Sequence, residues 1–148
     1  MLRVYIDTSV VGGCFDDEFS DESRTLIDMA KSGELILLIS NILVDELTQA
    51  PEKVQQVVTD LPPDAIEILE ENSDSHVLRD LYLQAGVVGV THFNDAHHVA
   101  IATVSNADMI VSWNFKHIVH YDKIRRFNEV NQKAGYNEIK IFSPLEVI

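Results

Sequence analysis

The stretch LRVYIDTS, residues 2–9, places a short apolar run directly before an acidic residue, Asp7. Four further apolar runs follow, at residues 35–39, 65–69, 109–111 and 139–142. Continuous apolar strands are typical of a sheet covered on both faces, and such sheets are usually parallel. The first run is far too short to span a bilayer and has no cleavage-site pattern, so we expect neither a membrane span nor a signal peptide.

Six helical patterns fill the gaps between these runs. They are a helix capped by Ser20 and stopped by Gly33, one capped by Ser40 or Asn41, one begun by Pro51, one closed by Gly86, one capped by Asn94, and one between Tyr121 and Lys133. Alternating strands and helices predict an α/β fold, a three-layer α/β/α sandwich with a small parallel sheet. The length and the lack of any linker predict a single domain over residues 1–148.

The charge balance restricts the possible functions. The chain has 24 Asp and Glu against 11 Lys and Arg, a formal net charge of −13. Non-specific affinity for nucleic acid comes mainly from Lys and Arg, so a simple nucleic-acid binder is disfavoured. An acidic protein that acts on phosphodiesters needs positive charge from metal ions or a basic partner, unless the acidity only promotes solubility. The single cysteine, Cys14, can form no intramolecular disulfide, which suits a reducing, cytoplasmic setting.

Two acidic residues are expected near the edge of the sheet at which parallel-sheet proteins bind ligands. Asp7 follows the first strand, and ligands bind outside the carboxyl ends of strands in such sheets; the alternative is a helix cap. At about 100° per residue, Glu46 falls on the inward helix face with Leu43 and Leu47, whereas Asp45 points away. A carboxylate aimed at the sheet is costly unless it is paired or coordinated. The alternative for Glu46 is a salt bridge or a position at the rim of the core. The salt bridge is the less favoured of the two, because Lys and Arg are scarce in this chain.

A third acid, Asp95, lies in the first turn of the fifth helix, on the border of its inward face. Its alternative role is interaction with the helix dipole. Because all three carboxylates can converge on one edge of the sheet, they would repel one another unless a cation lay between them. Oxygen ligands suit Mg²⁺ or Mn²⁺, and such ions activate water and stabilise charge on a phosphoryl group. Asp7, Glu46 and Asp95 therefore predict a catalytic metal site.

Four segments resemble the PIN domain family, particularly its VapC-like toxin branch: VYIDTS (4–9), ILVDEL (42–47), NDAHHVAIAT (94–103) and MIVSWNFKHI (109–118). The resemblance implies a metal-dependent endoribonuclease that hydrolyses single-stranded RNA. It implies that Asp7 and Asp95 bind Mg²⁺ or Mn²⁺ directly and that Glu46 acts through water. The family's fourth acid falls on Asn114, whose neutral amide predicts a weaker second ion. Ser9 and Asn114 would position ligands.

The resemblance also implies a toxin neutralised by an antitoxin protein, and a homodimer. Helices 20–32 and 41–59 would supply the apolar groove or dimer surface. Asn114 and the acidity favour an alternative, a catalytically weak or inactive PIN-like interaction module. A receiver-like phosphotransfer domain is a third possibility, but it needs a lysine after a late strand, and Lys116 is a poor match.

Substrate contacts are predicted from the residues that follow the fourth strand. Trp113 could stack on a base, although packing in the core or rim is favoured. Lys116, Arg125 and Arg126 are the best phosphate contacts, and a solvated polar face is their alternative.

Histidine metal sites are disfavoured by the sequence. His97 and His98 diverge by about 100° on a helix, so they cannot both face one ion. His117 and His120 share a face if they are helical, but no further ligand is evident near them.

Overall fold

The centre of the fold is a five-stranded sheet, and the computed structural model describes all 148 residues around it. The strands are β1 (Leu2–Ile6), β2 (Leu35–Ser40), β3 (Ile66–Leu69), β4 (Met109–Val111) and β5 (Ile141–Phe142). Their order is β3-β2-β1-β4-β5, and every neighbouring pair is parallel. The predicted α/β fold with a small parallel sheet is confirmed, although the last strand begins two residues later than predicted.

Seven α-helices accompany the sheet: α1 (Thr8–Gly13), α2 (Ser20–Lys31), α3 (Asn41–Leu47), α4 (Glu52–Thr59), α5 (Ser73–Gln84), α6 (Phe93–Val104) and α7 (Tyr121–Lys133). Six match predicted helices, and α1 was not predicted. The segment 41–59 contains two helices, as predicted, and residues 48–51 separate them. None of the seven is both long and apolar enough to cross a bilayer.

The helix starts agree only in part with the predicted caps. Ser40 caps α3, since its Oγ accepts the N–H of Leu43 at 3.2 Å. The caps predicted at Ser20 and Asn94 are wrong, because both residues lie inside their helices. The physical reason is the preceding turn. The N–H of Ser20 already donates to the carbonyl of Asp16, and a 3₁₀ turn at residues 90–92 runs directly into α6.

Alternation along β1 divides the core into two apolar layers. Val4 and Ile6 face a layer that contains side chains of α1, α2, α3 and α4, whereas Tyr5 faces a layer formed with α5, α6 and α7. Successive side chains of a strand point to opposite faces, so one strand serves both layers. This arrangement is the predicted three-layer α/β/α sandwich.

The strand order reverses between β1 and β4. From β1 the chain passes to β2 and β3 on one side, and it returns on the other side as β4. The register pairs Ile6 with Val111, so Asp7 and Ser112 leave the sheet side by side. In open parallel sheets, the crevice at such a reversal is where ligands bind.

Candidate active site

Asp7 is the central polar residue of this carboxyl edge, and it is only 5% exposed. Asp7 occupies the N-cap position of α1, but its side chain makes no capping hydrogen bond there. Ser9 Oγ donates to Asp7 Oδ1 at 2.6 Å, and Ser112 Oγ donates to Asp7 Oδ2 at 2.7 Å. The same hydroxyl oxygens accept the backbone N–H groups of Trp113 and Asn114, each at 2.9 Å. Each serine therefore directs its one proton at Asp7, and the carboxylate is fixed in orientation.

The environment of Asp7 is unfavourable to its negative charge. Burial raises the pKa of Asp7 above its ordinary value, and the charge of Asp95 adds to the rise, although His98 and the serine hydroxyls oppose it. No Lys or Arg nitrogen lies within 4.0 Å of the carboxylate of Asp7, Glu46 or Asp95. A bound cation would compensate the negative charge of such a site.

Glu46 lies half-buried on the inward side of α3, and Asp45 is exposed, as the helical wheel predicts. Its Oε1 accepts from His98 Nε2 at 2.6 Å and from Thr8 Oγ1 at 2.9 Å. Burial alone would raise the pKa of Glu46, but these hydrogen bonds and the charge of His98 outweigh it and lower the pKa. The salt-bridge alternative for Glu46, which the scarcity of Lys and Arg weakened, therefore has a partner in the structure. Its partner is a histidine, which an argument from scarce Lys and Arg overlooks.

His98 connects Glu46 to the interior of the sheet. It is 2% exposed, and its Nδ1 lies 2.6 Å from the hydroxyl of Tyr5. Tyr5 donates in turn to Ser40 Oγ at 2.9 Å, and Ser40 caps the helix that carries Glu46. Sequence reasoning missed this relay of Glu46, His98, Tyr5 and Ser40. The available signal was a tyrosine in an otherwise aliphatic buried strand, because a buried tyrosine hydroxyl usually needs a partner.

Asp95 keeps its carboxylate at the surface of the site, with 24% of its side chain exposed. Its nearest basic group is His92, whose Nδ1 lies 3.6 Å from Asp95 Oδ2. The ring of His92 stacks on that of His117, with centroids 3.5 Å apart. Because 3.6 Å is too long for a good hydrogen bond, the oxygens of Asp95 are free to bind another group.

The side chain of Asn114 does not contact the carboxylate of Asp7, as a metal ligand at this site would be expected to do. Its Oδ1 accepts the backbone N–H of His117 at 2.9 Å and so stabilises the turn after β4. The residue of this segment that contacts Asp7 is Ser112. Direct coordination by Asn114 therefore has no support in the contacts, since its amide oxygen already serves the turn.

The three carboxylates do not form one closed cage. No choice of one oxygen from each carboxylate brings the three oxygens within 4.8 Å of one another. Two other sets of side chains do place their ligating atoms within that distance: Glu71 with His76 and His97, and His92 with Asp95 and His117. Glu46 is held by His98 and Thr8. The donors nevertheless fit a hard divalent cation, because they are carboxylate oxygens and Asp7 has no cationic partner of its own.

Comparison with known proteins identifies the family. A family model described as PIN domain matches residues 3–116. The chain belongs to the PIN domain family. Among solved structures, a chain of VapBC2 from Rickettsia felis, bound to a DNA fragment from their promoter, is similar in fold, with a TM-score of 0.61 and 14% identity. The match covers 96% of this chain and 98% of that one. No curated protein matches the chain in sequence.

Trp113 of this PIN domain packs in the core. It is 6% exposed, it stacks on Phe19 with ring centroids 4.1 Å apart, and its Nε1 donates to Ser23 Oγ at 2.7 Å. The favoured packing alternative is confirmed. The base-stacking prediction for Trp113 is wrong, because a ring that is buried and stacked has no free face to offer a base.

The basic residues divide into one free and two engaged side chains. Lys116 is exposed and forms no ion pair, so it remains open to a phosphate. Arg125 pairs with Asp122 and Glu129 along α7. Arg126 donates to the carbonyl oxygen of Ala85. Both arginines already make contacts within the chain, and phosphate binding by them stays a prediction.

Trp113→Phe is expected to lower the free energy of unfolding by about 1–3 kcal/mol, because it leaves the fully buried Ser23 hydroxyl unpaired and opens a small void. Urea denaturation measures the loss. Tyr121→Ala, at an aromatic residue that is 86% exposed, is the control and should change stability by no more than about 0.5 kcal/mol. Unchanged stability of Trp113→Phe with weaker RNA binding would return this residue to the substrate surface.

Proposed function

We propose that this PIN domain is a metal-dependent endoribonuclease that hydrolyses phosphodiester bonds of single-stranded RNA. The observation that carries the proposal is the buried carboxylate of Asp7 at the reversal between β1 and β4. It is oriented by two serine hydroxyls, and the charge of Asp95 acts on it with no Lys or Arg to neutralise either group. A structural role would not require a buried carboxylate that a second acid destabilises.

Each residue of the site has a distinct part in the proposal. Asp7 and Asp95 would hold Mg²⁺ or Mn²⁺ directly, since hard cations prefer oxygen ligands. When bound, the ion supplies water activation and stabilises negative charge on the phosphoryl group. Ser9 and Ser112 orient Asp7 through their hydroxyl protons.

Glu46 is proposed to position water at the site. His98 and Thr8 hold its Oε1, and the lowered pKa of Glu46 keeps the group ionised near neutrality. Its Oε2 accepts no hydrogen bond from this chain, so it is free to accept one from a water molecule. Exposed Lys116, in the segment after β4, is proposed to contact a phosphate of the RNA.

The biological setting proposed is that of a cytoplasmic toxin, dimeric and neutralised by an antitoxin protein. Its support is family membership together with the fold shared with a VapBC2 chain. The alternative is a catalytically weak or inactive interaction module. Asn114 favours that alternative, because this position carries no charge and its amide oxygen is occupied by a backbone N–H.

Single-stranded RNA is expected to be cut in the presence of Mn²⁺ and to stay intact in EDTA. Asp95→Asn should slow cleavage at least about tenfold, because each lost 1.36 kcal/mol of charge stabilisation costs one factor of ten. Asp45→Asn is the matched control, since Asp45 is exposed on the outer side of α3 and should leave the rate unchanged. Cleavage that persists in EDTA and in Asp95→Asn would refute the mechanism. No cleavage, and no thermal stabilisation by millimolar Mn²⁺, would favour the module.

A further inference from the structure

A second group of metal-ligating side chains lies between the loop before α5 and the N-terminal half of α6. Glu71, His76 and His97 each place one ligating atom within 4.8 Å of the others. His97 reaches this group because it points away from its neighbour His98, whose ring contacts Glu46. The divergence of two adjacent histidines thus gives each one a different partner set.

His97 is the member that the rest of the fold does not explain. It is 1% exposed, and both of its ring nitrogens are buried without any hydrogen-bond partner. A buried polar group without a hydrogen-bond partner lowers the stability of the folded state by about 1–3 kcal/mol, so we expect the ring of His97 to bind a partner. The centroid of its ring lies 5.3 Å from that of His76.

Glu71 and His76 are already held in place beside it. His76 Nε2 lies 2.7 Å from Glu71 Oε1. Asn41 fixes the other side of Glu71: its Nδ2 donates to Oε2 at 2.7 Å, and its Oδ1 accepts the backbone N–H of Glu71 at 2.9 Å. Such outer contacts orient metal ligands. The side chains of His76 and Glu71 are 41% and 31% exposed, so an ion and a water molecule can enter.

We propose that Glu71, His76 and His97 bind a Zn²⁺ ion, with a water molecule at the fourth position. Two imidazoles and one carboxylate are an established zinc ligand set, whereas imidazole is a poor ligand for Mg²⁺. Tetrahedral zinc with bonds of about 2.0–2.1 Å separates its ligand atoms by about 3.3 Å. Zinc would take the place of the proton on His76 Nε2, and the neutral ring would carry its one proton on Nδ1 instead. The hydrogen bond between His76 and Glu71 would therefore open slightly, and His97 would move closer. The bound ion would join the start of α5 to α6, the helix that also carries His98.

The test is titration of the full, chelator-stripped chain with Zn²⁺ by calorimetry, with visible absorption of Co²⁺ as a second probe of tetrahedral coordination. We expect one zinc per chain, bound at least about 100-fold more weakly by His76→Gln and by Glu71→Gln. Asn41→Ala, which removes only the outer contact, should weaken binding about 10- to 100-fold. His120→Gln, at an exposed histidine outside the group, should bind like the native chain.

Thermal melts separate loss of binding from loss of folding. In chelator, His76→Gln should melt as a folded protein, because His76 is partly exposed, whereas added Zn²⁺ should raise the melting temperature of the native chain alone. No zinc binding by the native chain, or unchanged binding by His76→Gln and Glu71→Gln, would overturn the proposal. Loss of binding in Asp95→Asn instead would also overturn it, since the ion would then lie among His92, Asp95 and His117. None of these measurements depends on RNA cleavage.

Discussion

Asp7→Asn is expected to reduce Mn²⁺-dependent RNA cleavage at least about a thousandfold without unfolding the protein. Stabilisation of phosphoryl charge by a bound ion is worth several kcal/mol, and each 1.36 kcal/mol is a factor of ten in rate. The amide keeps the shape of the carboxylate but removes its charge. Ser9 and Ser112 can adapt, because their hydroxyl oxygens lie 3.4 Å apart and either one can turn to accept from the new amide. The initial rate of cleavage, at equal folded concentration, measures the loss.

The same substitution is expected to leave stability in EDTA unchanged or to increase it. Burial, helped by the charge of Asp95, raises the folded-state pKa of Asp7 above its ordinary value of 3.8. An acid whose pKa is raised by folding contributes fully to the stability of the folded state below its ordinary pKa. That contribution is lost as the pH rises through the folded-state pKa. In EDTA, native stability should therefore fall relative to that of Asp7→Asn as the pH is raised from about 4 towards neutrality. Urea midpoints across that range measure the difference.

Bound Mn²⁺ should make the native chain more stable than Asp7→Asn, the reverse of the order expected in EDTA. Mn²⁺ added at neutral pH is expected to raise the melting temperature of the native chain and to leave that of Asp7→Asn unchanged, because binding to the folded state alone stabilises it. Asp16→Asn, at an exposed acid before α2, is the control and should behave as the native chain. Should Asp7→Asn retain cleavage within tenfold of the native rate, Asp7 would no longer belong at the centre of the site.

Local sequence patterns predicted the sheet and the placement of Glu46 because both depend on periodicity. A buried parallel strand is apolar along most of its length, so the five runs were visible without any knowledge of their partners. The wheel placed Glu46 inward because Leu43 and Leu47 fix the face of α3, and burial agrees. The position of Asp7 followed from a topological rule about strand ends rather than from its neighbours.

Contacts between distant residues could not be predicted in this way. The short helix α1 consists of TSVVGG, in which the glycines and β-branched residues oppose helix formation; packing of Val10 and Val11 into the core stabilises it instead. The bond between Glu46 and His98 joins residues 52 positions apart, and it forms because α3 and α6 meet at the same sheet edge. No periodicity specifies such a meeting, so the partner of Glu46 stayed hidden.

His98→Ala is expected to lower the free energy of unfolding by about 2–4 kcal/mol at pH 7. The substitution removes a buried ring, a charge-assisted hydrogen bond to Glu46 and a hydrogen bond to the Tyr5 hydroxyl, which is itself buried. Cleavage should also slow, because Glu46 loses the partner that fixes its Oε1. Urea denaturation and RNA cleavage, measured on the same preparation, give both effects.

The pH dependence tests whether the lost stability belongs to the bond with Glu46. The folded-state pKa of Glu46 is below its ordinary value of 4.5, although burial opposes this, because His98 and Thr8 donate to the carboxylate. An acid whose pKa is lowered by folding contributes to the stability of the folded state above its ordinary pKa. That contribution is lost as the pH falls through the folded-state pKa. The difference in stability between native chain and His98→Ala should therefore shrink below about pH 4.5. A difference that stays constant on acidification would assign the whole effect to packing.

Two further variants separate the bond from the packing of the ring. His98→Gln retains a donor near Glu46, so it should recover part of both stability and cleavage. Thr8→Val removes the other hydrogen bond to the same oxygen and should cost about 1 kcal/mol, since one neutral donor is lost. If His98→Gln recovered stability but not cleavage, His98 would serve the site by orienting Glu46 with the geometry of an imidazole. If Thr8→Val slowed cleavage as much as His98→Ala, the orientation of Oε1 would be the property that cleavage requires, whichever residue donates to it.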